Sequence, residues 1–516
     1  MKNDLFDHQK QGVDFVIQKS GSGALFHEIG CGKTRTALEI YARLRQSEES
    51  LKMLVISPLS LLNAAWREDN TKFYGFRFCN LRESSWIAEK HGRPIALNDD
   101  IFAVNYESLL SKSKLEGIVW MLRLGNPWLC VLDESARIKS AQAQTTKIIF
   151  KMIRYFKYRI ILSGCPAPNS EMEYFPQMQF VAPGCLGTNM TAFRSHFFHL
   201  ANRYSNRTQS LPPFMTKEIF TKGWNYAITP AKREELMNLI MPHCHLAKKK
   251  DCLDLPEQVD EIRFVELEGE QKKVYLEMKK YLVVEIEEQK IAAPLALTKL
   301  MKLRQITSGF IYNEKGDSYE TNLEHDDHFK MSLETKMPFV KNEPGEENFW
   351  GDAFNPLENE FSNPKLKELF AIIEEAGNQP IIVWINFHWE QIKICHELHK
   401  RFGENQVVTL SALTKDKDES IKAFQEGRAR FLVAHGRSAG HGLTMIQCSL
   451  QIFFSLDYSW EIHEQSRGRI HRFGQIKKCT YVYILAKDTI DESIFNVLKN
   501  KKDAQEIIYE TIKSSL

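Results

Sequence analysis

The sequence predicts an α/β protein with two doubly wound parallel-sheet lobes and helical insertions between them. Two observations carry this prediction: short apolar runs alternate with helical stretches, and the alternation occurs twice along the chain. A length of 516 residues, 43% of them hydrophobic and 26% charged, is typical of a soluble protein with more than one core. The predicted divisions are a first lobe at 1–170, helical insertions and an inter-lobe linker at 171–310, an acidic flexible loop at 311–360, and a second lobe with a terminal helix at 361–516.

The sheet of the first lobe is predicted from four short apolar runs, which lie at 53–56, 101–104, 129–132 and 160–162. Parallel strands are buried on both faces, so they are continuously apolar and do not alternate with polar residues. Ligands of such sheets bind at the carboxyl ends of the strands. We therefore expect the functional residues of this lobe directly after these runs.

A phosphate-binding loop is predicted near the N-terminus, in the segment Gly30-Cys31-Gly32-Lys33-Thr34. Glycines let successive backbone N–H groups point inward, and the helix that follows adds the positive end of its dipole. Lys33 is expected to reach the outer phosphates of a nucleotide, and Thr34 to hold Mg²⁺. His27 stands where the usual pattern has its first glycine.

An acidic pair, Asp133 and Glu134, ends the apolar run that begins at Trp128. A buried parallel strand delivers carboxylates to the edge of its sheet in this way. Asp133 is expected in the shell of Mg²⁺, and Glu134 is expected to orient or deprotonate the attacking water. The alternative is an acidic pair that caps the next helix.

Two arginines, Arg469 and Arg472, lie three residues apart and are expected on one helical face. The guanidinium group matches phosphate oxygens, and an arginine from outside the nucleotide-binding lobe stabilises charge on the transferred phosphoryl group. For Arg472 the alternative is a structural pair with a carboxylate such as Asp457. Together with the phosphate loop, the arginines predict two lobes that close over one nucleotide.

The second lobe is predicted from a second series of apolar runs, at 381–385, 407–410, 431–434, 452–456 and 481–485. The preceding segment at 311–360 is acidic, contains glycine and proline, and lacks periodicity, which is typical of a mobile loop. We expect a passive surface insertion there, with a regulatory role as the alternative.

With these motifs, the chain resembles the Swi/Snf-type ATPases of helicase superfamily two, and most of all their compact viral and prokaryotic members. The resemblance covers most of the chain. Further segments that resemble family motifs, in the family's order, lie at 5–13, 55–62, 104–109, 133–139, 162–169, 303–310, 439–444 and 457–460.

The resemblance implies two RecA-like lobes, with ATP and Mg²⁺ as cofactors. It implies that Gln9 reads adenine and that Gly442 contributes to the nucleotide site from the second lobe. It also implies DNA contacts at Pro58, Ser60, Tyr106 and Trp460.

Several residues depart from the family pattern. Ala136 replaces the last histidine of the acidic box, Cys165 replaces a threonine, and Thr444 stands where asparagine is usual. None of these changes removes the lysine of the loop, the acidic pair or the two arginines. We therefore expect an active ATPase, and the efficiency of coupling is the property on which these departures bear.

The expected function is that of an ATP-hydrolysing translocase that moves along double-stranded or branched DNA, contacts its backbone, and remodels it. The alternatives are a strand-separating helicase activated by single strands and a non-enzymatic DNA-binding scaffold. RNA stays open as an activating polymer. A net charge of +2 gives little support of its own for a polyanionic partner, because a local basic stripe suffices for binding. An intracellular location is expected, including that of a virus-encoded protein acting in a host cell, since the ten cysteines form no C-x-x-C pair.

Overall fold

Two parallel sheets, one in each lobe, organise the chain, and a small antiparallel pair of strands accompanies them. The computed structural model describes residues 4–83, 98–168, 170–200, 226–287, 293–310, 363–438 and 443–501. The predicted α/β class with two doubly wound parallel sheets is confirmed. The predicted acidic loop at 311–360 and Gly442 lie outside the described residues.

Strands are numbered in chain order within the described residues. They are β1 (Gly23–His27), β2 (Lys52–Ser57), β3 (Phe78–Asn80), β4 (Ile101–Asn105), β5 (Trp128–Asp133), β6 (Tyr158–Leu162), β7 (Phe198–Leu200), β8 (Tyr226–Ile228), β9 (Cys244–Ala247), β10 (Gln258–Val265), β11 (Ile381–Ile385), β12 (Val407–Leu410), β13 (Phe431–His435), β14 (Leu450–Phe453) and β15 (Cys479–Ala486).

Helices are numbered in the same way. They are α1 (Asp7–Gln18), α2 (Lys33–Ser47), α3 (Glu68–Phe73), α4 (Lys112–Leu122), α5 (Gln144–Met152), α6 (Tyr174–Val181), α7 (Met190–Phe197), α8 (Pro230–Ile240), α9 (Lys249–Cys252), α10 (Gly269–Glu287), α11 (Ala293–Thr307), α12 (Pro364–Glu375), α13 (His388–Phe402), α14 (Lys417–Gln425) and α15 (Trp460–Arg467). A further helical stretch covers 490–501.

The first sheet has the order β3-β4-β2-β5-β6-β1-β9, and its paired strands are parallel. Its strands send alternate side chains to two cores, as the pleat of a strand requires. Leu54 and Ile56 belong to one core, whereas Met53 and Val55 belong to the other. Because β1, β2 and β5 lie close together, the loops at their carboxyl ends meet at one edge.

The second sheet has the order β10-β15-β14-β11-β13-β12, again with parallel pairs. Helices α10 and α11 pack on this lobe, since Tyr275, Leu303 and Ile306 belong to its hydrophobic core. The helices expected as an inter-lobe insertion are therefore part of the second lobe.

The chain crosses from one lobe to the other at 248–257, and the lobe boundaries differ from the predicted ones. Strand β9 pairs with β1 of the first sheet, and β10 pairs with β15 of the second. The pattern of apolar runs does not indicate β9 or β10, and the reason is physical. Strand β9 is short and contains His245, whereas β10 is an edge strand that alternates exposed and half-buried residues and lacks a continuous apolar run.

Among the described residues, the helices are too short or too polar to span a lipid bilayer.

Candidate nucleotide-binding active site

The predicted phosphate loop connects β1 to α2, and two glycines give it its shape. Gly30 has a φ of 95° and Gly32 a φ of 72°, a region that L-residues other than glycine rarely adopt. A methyl group on Gly32 would lie 2.2 Å from Gln9 Nε2, and one on Gly30 would lie 3.2 Å from Arg472 Cβ. The backbone conformation therefore favours glycine at both positions, and a side chain there would displace Gln9 or Arg472.

The cationic side chain of the loop belongs to Lys33, the first residue of α2. Its Nζ donates a hydrogen bond to the backbone oxygen of His27 over 3.0 Å. Thr34 follows in the first turn of the same helix. The loop thus presents an ammonium group, a hydroxyl group and a helix N-terminus together, which is the combination that binds phosphate groups.

The start of α1 packs on the phosphate loop through two buried polar side chains. Gln9 Nε2 donates to the Gly32 oxygen over 3.2 Å, and its Oε1 accepts from the Phe6 backbone N–H over 3.0 Å. His8 Nε2 lies 2.9 Å from the Cys31 oxygen. These contacts fix the loop backbone. The reading of adenine by Gln9 stays a prediction, and the role of His8 was not predicted.

Asp133 ends β5 and is held by three donors. Its Oδ2 accepts from Ser57 Oγ over 3.0 Å and from Trp66 Nε1 over 2.9 Å, and its Oδ1 accepts from the Glu134 backbone N–H over 3.0 Å. Burial raises the pKa of Asp133, whereas the Trp66 bond and the charge of Lys33 act in the opposite direction. A fixed carboxylate at the end of β5 and the hydroxyl of Thr34 are hard oxygen donors, and they fit Mg²⁺.

Glu134 has a backbone φ of 52°, in the left-handed region, although it is not a glycine. Such strain persists where surrounding structure enforces it, and it is frequent at active sites. Burial is the main cause that raises the pKa of Glu134 to about 7, with a further contribution from Asp133, while Lys33 and Arg469 oppose the shift. A carboxyl group with this pKa can accept a proton near neutral pH.

The alternative role of the acidic pair as a helix cap is wrong. Glu134 precedes the short 3₁₀ helix Ser135–Ile138, but its side chain makes no capping hydrogen bond there. The side chain of Asp133 is engaged by Ser57 and Trp66 from other elements.

Both predicted arginines follow α15, in residues 468–473, which we call the arginine segment. The expectation that they share a helical face is wrong, because α15 ends at Arg467 and the following residues form turns. The two side chains still converge, since Arg472 Nη1 donates to the Leu443 oxygen over 2.8 Å and Arg469 Nη1 donates to the same atom over 3.4 Å. Arg472 also donates to Thr444 Oγ1 over 2.8 Å.

The electrostatics of the two arginines reflect their burial. Burial and the charge of Arg472 lower the pKa of Arg469 to about 9, whereas Glu134 raises it. Burial also lowers the pKa of Arg472, and Asp69 opposes that shift. The proposed partner of Arg472, Asp457, instead pairs with Arg437 at 3.2 Å. Two buried cations held together next to the phosphate loop are suited to a ligand with several negative charges.

The four predicted DNA-contacting residues do not share one surface. Ser60 is exposed beyond the end of β2, whereas Pro58 is buried. Tyr106 is 4% exposed and its hydroxyl donates to the Asp133 oxygen over 2.8 Å. Trp460 is also 4% exposed and packs against His463, with ring centroids 5.5 Å apart. For Tyr106 and Trp460, this burial argues against the predicted direct contact with DNA.

Two models of known protein families match the chain. The model of the SNF2-related domain matches residues 8–309, more than half of the chain, and the model of the helicase conserved C-terminal domain matches residues 364–474. The chain belongs to the SNF2-related family. It is a DNA-dependent ATPase of helicase superfamily two, and it therefore uses a nucleotide.

Relatives of this SNF2-related ATPase include viral and eukaryotic proteins. Putative protein p41 of Acyrthosiphon pisum secondary endosymbiont phage 1 is 25% identical over 94% of both chains. The DNA repair and recombination protein RAD54-like of Gallus gallus is 23% identical over 96% of this chain and 66% of its own length, and the human protein is 23% identical over 65% of its length. The chain thus spans about two thirds of these repair proteins. The solved Sulfolobus solfataricus SWI2/SNF2 ATPase core in complex with dsDNA is 24% identical over 98% of this chain and 92% of its own, with a TM-score of 0.40.

Proposed function

We propose that this SNF2-related ATPase is an ATP-driven translocase that moves along double-stranded or branched DNA and remodels it. The observation that carries the proposal is the meeting of the lobes at one point: Arg472 of the second lobe lies against Gly30 of the phosphate loop. A nucleotide bound at the loop would therefore contact both lobes. Binding and release of such a nucleotide would change how the lobes are arranged.

The chemistry of hydrolysis divides between the lobes. Lys33 would exchange its backbone contact for the outer phosphates, and Thr34 and Asp133 would hold Mg²⁺. When bound, Mg²⁺ neutralises charge on the phosphate oxygens. Glu134 would orient the attacking water and accept its proton, which its raised pKa supports. Arg469 and Arg472 would stabilise the charge that develops on the transferred phosphoryl group.

A short path connects this chemistry to the surface where DNA contacts are predicted. Ser57 donates to Asp133; it directly precedes Pro58 and lies three residues before the exposed Ser60. On the other side of the loop, a methyl group on Gly164 would lie 2.9 Å from Ile29 Cγ1, so the segment after β6 touches the phosphate loop. A change in charge at the nucleotide would therefore act directly on the segment after β2 and on the segment after β6, because both adjoin the site.

The names of the relatives support a role in DNA metabolism. The RAD54-like proteins are named for DNA repair and recombination, and the shared part of those chains includes nearly all of this one. A remodelling activity on branched DNA would suit such a role. A non-enzymatic scaffold is disfavoured because the charges of Lys33 and Arg469 both act on Glu134, while Arg472 lies against Gly30.

The deciding experiment measures steady-state ATP hydrolysis by the wild type and by Lys33→Ala with no polymer, single-stranded DNA, duplex DNA, a four-way junction and duplex RNA. Lys147→Ala, an exposed lysine on α5, is the matched control. We expect duplex or junction DNA to stimulate the wild type and the control, and Lys33→Ala to be inactive. Stimulation by single strands alone would favour a strand-separating helicase, and full activity of Lys33→Ala would refute the catalytic assignment.

The same preparations distinguish translocation from strand separation. A translocase displaces the third strand of a triplex and migrates a junction, but it does not unwind a simple duplex. DNA binding is expected to be independent of sequence and to weaken steeply with salt, because backbone contacts release counterions. Efficient unwinding of a plain duplex would argue against the proposal.

A further inference from the structure

We propose that Lys249 is a positioning residue that keeps the phosphate loop and the arginine segment in register across the inter-lobe cleft. Lys249 lies in the crossing segment 248–257, between the last strand of the first sheet and the first strand of the second. The inference rests on the proposed hydrolysis between the lobes. It assigns to that reaction a residue that does not contact the nucleotide itself but positions the phosphate loop and the arginine segment.

The backbone of Lys249 is hydrogen-bonded to Glu28, at the start of the phosphate loop. Its N–H donates to Glu28 Oε2 over 2.9 Å, and the backbone oxygen of Ala247, two residues earlier, accepts from the Glu28 N–H over 2.8 Å. Glu28 lies two residues before Gly30. The start of the inter-lobe crossing therefore cannot shift without moving the loop that would hold the phosphates.

The side chain of Lys249 lies on the loop beside Arg472. A methyl group built on Gly30 would lie 3.6 Å from Lys249 Cε and 3.2 Å from Arg472 Cβ. The lysine and the arginine thus cover the same glycine from neighbouring directions. Both side chains therefore border the same point of the phosphate loop.

One carboxylate from each lobe acts on the ammonium group. Burial lowers the pKa of Lys249, whereas the charges of Glu28 and Glu464 raise it, and Arg472 acts in the same direction as burial. Glu28 belongs to the phosphate loop, and Glu464 lies on α15 shortly before the arginine segment. Glu28, Lys249, Glu464 and Gly468 all line one cavity between the lobes. The ammonium group is therefore attracted to both lobes at the point where the arginine segment meets the loop.

The consequence for catalysis is specific. Removal of the Lys249 charge leaves Lys33, the acidic pair and both arginines intact. It removes the attraction that aligns the residues of the first lobe with the arginines of the second. Nucleotide binding, which depends on the loop, should change little. The rate of hydrolysis, which requires the arginines at the right distance, should fall because small misplacements of catalytic groups slow reactions strongly.

The first test compares Lys249→Met, Lys249→Arg and the control Lys250→Met, which alters an exposed lysine next to it. We expect Lys249→Met to reduce the DNA-stimulated kcat by about tenfold, the order expected for coupled neighbours. Its affinity for a fluorescent ATP analogue should stay within about threefold of the wild type. Lys249→Arg should recover most of the rate. A kcat of Lys249→Met within twofold of the control would overturn the proposal.

A double-mutant cycle with Glu464→Gln tests whether the pair acts as a unit. Glu464 also lies 3.6 Å from Arg467 Nε, so its single variant removes more than one contact, and only the cycle isolates the pair. We expect the double variant to be no slower than the slower single variant. Losses in kcat that multiply would refute the coupling.

Hydrogen exchange of the nucleotide-free protein tests the alignment of the phosphate loop with the arginine segment without any assay of activity. Lys249→Met should speed amide exchange in residues 28–32 and 468–473, whereas Lys250→Met should not. Unchanged exchange in both segments would overturn the inference even where DNA stimulates the enzyme normally. Altered exchange in an enzyme that no polymer stimulates would leave the inference standing and remove the proposed function.

Discussion

Arg472 of the second lobe lies directly over Gly30 of the first, with its Cβ 3.2 Å from the point where a side chain of Gly30 would begin. This contact joins the two halves of the site, which are more than 400 residues apart in the sequence. Any side chain on Gly30 would push against the stem of the arginine. The phosphate loop thus requires glycine there for the approach of the other lobe as well as for its own conformation.

The first prediction separates these two requirements by comparing Gly30→Ala with Gly125→Ala. Both glycines have positive φ, 95° and 84°, but nothing lies within 4 Å of a methyl group on Gly125. Both variants should lose about 1 kcal/mol of folding stability through backbone strain. Only Gly30→Ala should also lose ATP hydrolysis. Thermal unfolding and steady-state turnover check the pair, and equal turnover in both variants would contradict the close approach.

The second prediction concerns the arginine pair. Arg469→Ala and Arg472→Ala should bind ATP with affinity near that of the wild type but hydrolyse it about 10³–10⁵ times more slowly. The control is Arg437→Ala, which removes the exposed partner of Asp457 and should leave turnover unchanged. Single-turnover hydrolysis and binding of a fluorescent ATP analogue give the two quantities. Near-normal turnover in both arginine variants would remove the assignment.

The third prediction is a pH dependence that originates at Glu134. Its pKa is raised from the model-peptide value of 4.5 to about 7, chiefly by burial. As a general base it must be deprotonated, so kcat/KM should rise with pH through this range and level off above it. Glu134→Gln should remove both the activity and the rise. A rate profile of the wild type that is flat from pH 5.5 to 8.5 would argue against Glu134 as the base.

The same shift makes a prediction about folding stability. Below pH 4.5 the carboxyl group is protonated in both states, and between pH 4.5 and about 7 only the folded state retains the proton. The stability gained from the neutral buried form is therefore full at low pH and is lost as pH rises through the folded-state pKa. Glu134→Gln cannot ionise, so its melting temperature should exceed that of the wild type above pH 7 and approach it near pH 5. Identical pH profiles of melting temperature would contradict the raised pKa.

Much of this site could be predicted from sequence because each part is a local motif. The loop at 30–34, the acidic pair after β5 and the two arginines each combine a few adjacent residues whose chemistry is recognisable on its own. The partners that Asp133 requires could not be predicted, since Ser57 and Trp66 stand 76 and 67 residues away and only the fold brings them together. Serine hydroxyl and tryptophan indole groups form hydrogen bonds in many structural settings, so their presence in a sequence does not indicate a contact with Asp133.

The errors in the fold also have physical causes. The spacing of Arg469 and Arg472 is compatible with a continuing helix, but the helix ends at Arg467 with Gly468 as its C-cap. The crossing at 248–257 is not evident from the sequence because β9 and β10, on either side of it, are edge strands without long apolar runs. Edge strands pair with a neighbour that is distant in sequence, and their own residue pattern does not reveal it.

The last prediction decides between two roles of Tyr106. In the structure its hydroxyl donates to the backbone oxygen of Asp133 over 2.8 Å, and its ring is buried. Tyr106→Phe keeps the ring and removes this hydrogen bond, so it should cost about 1 kcal/mol of folding stability and leave DNA affinity unchanged. Tyr155→Phe is the control, because the Tyr155 hydroxyl accepts from Arg123 and Arg154 at the surface and should contribute less. Urea unfolding and a DNA-binding titration measure the two effects. If Tyr106 instead contacts DNA, Tyr106→Phe will bind duplex DNA more weakly and its folding stability will be unchanged. That result would show that the Tyr106 hydroxyl does not position the acidic pair.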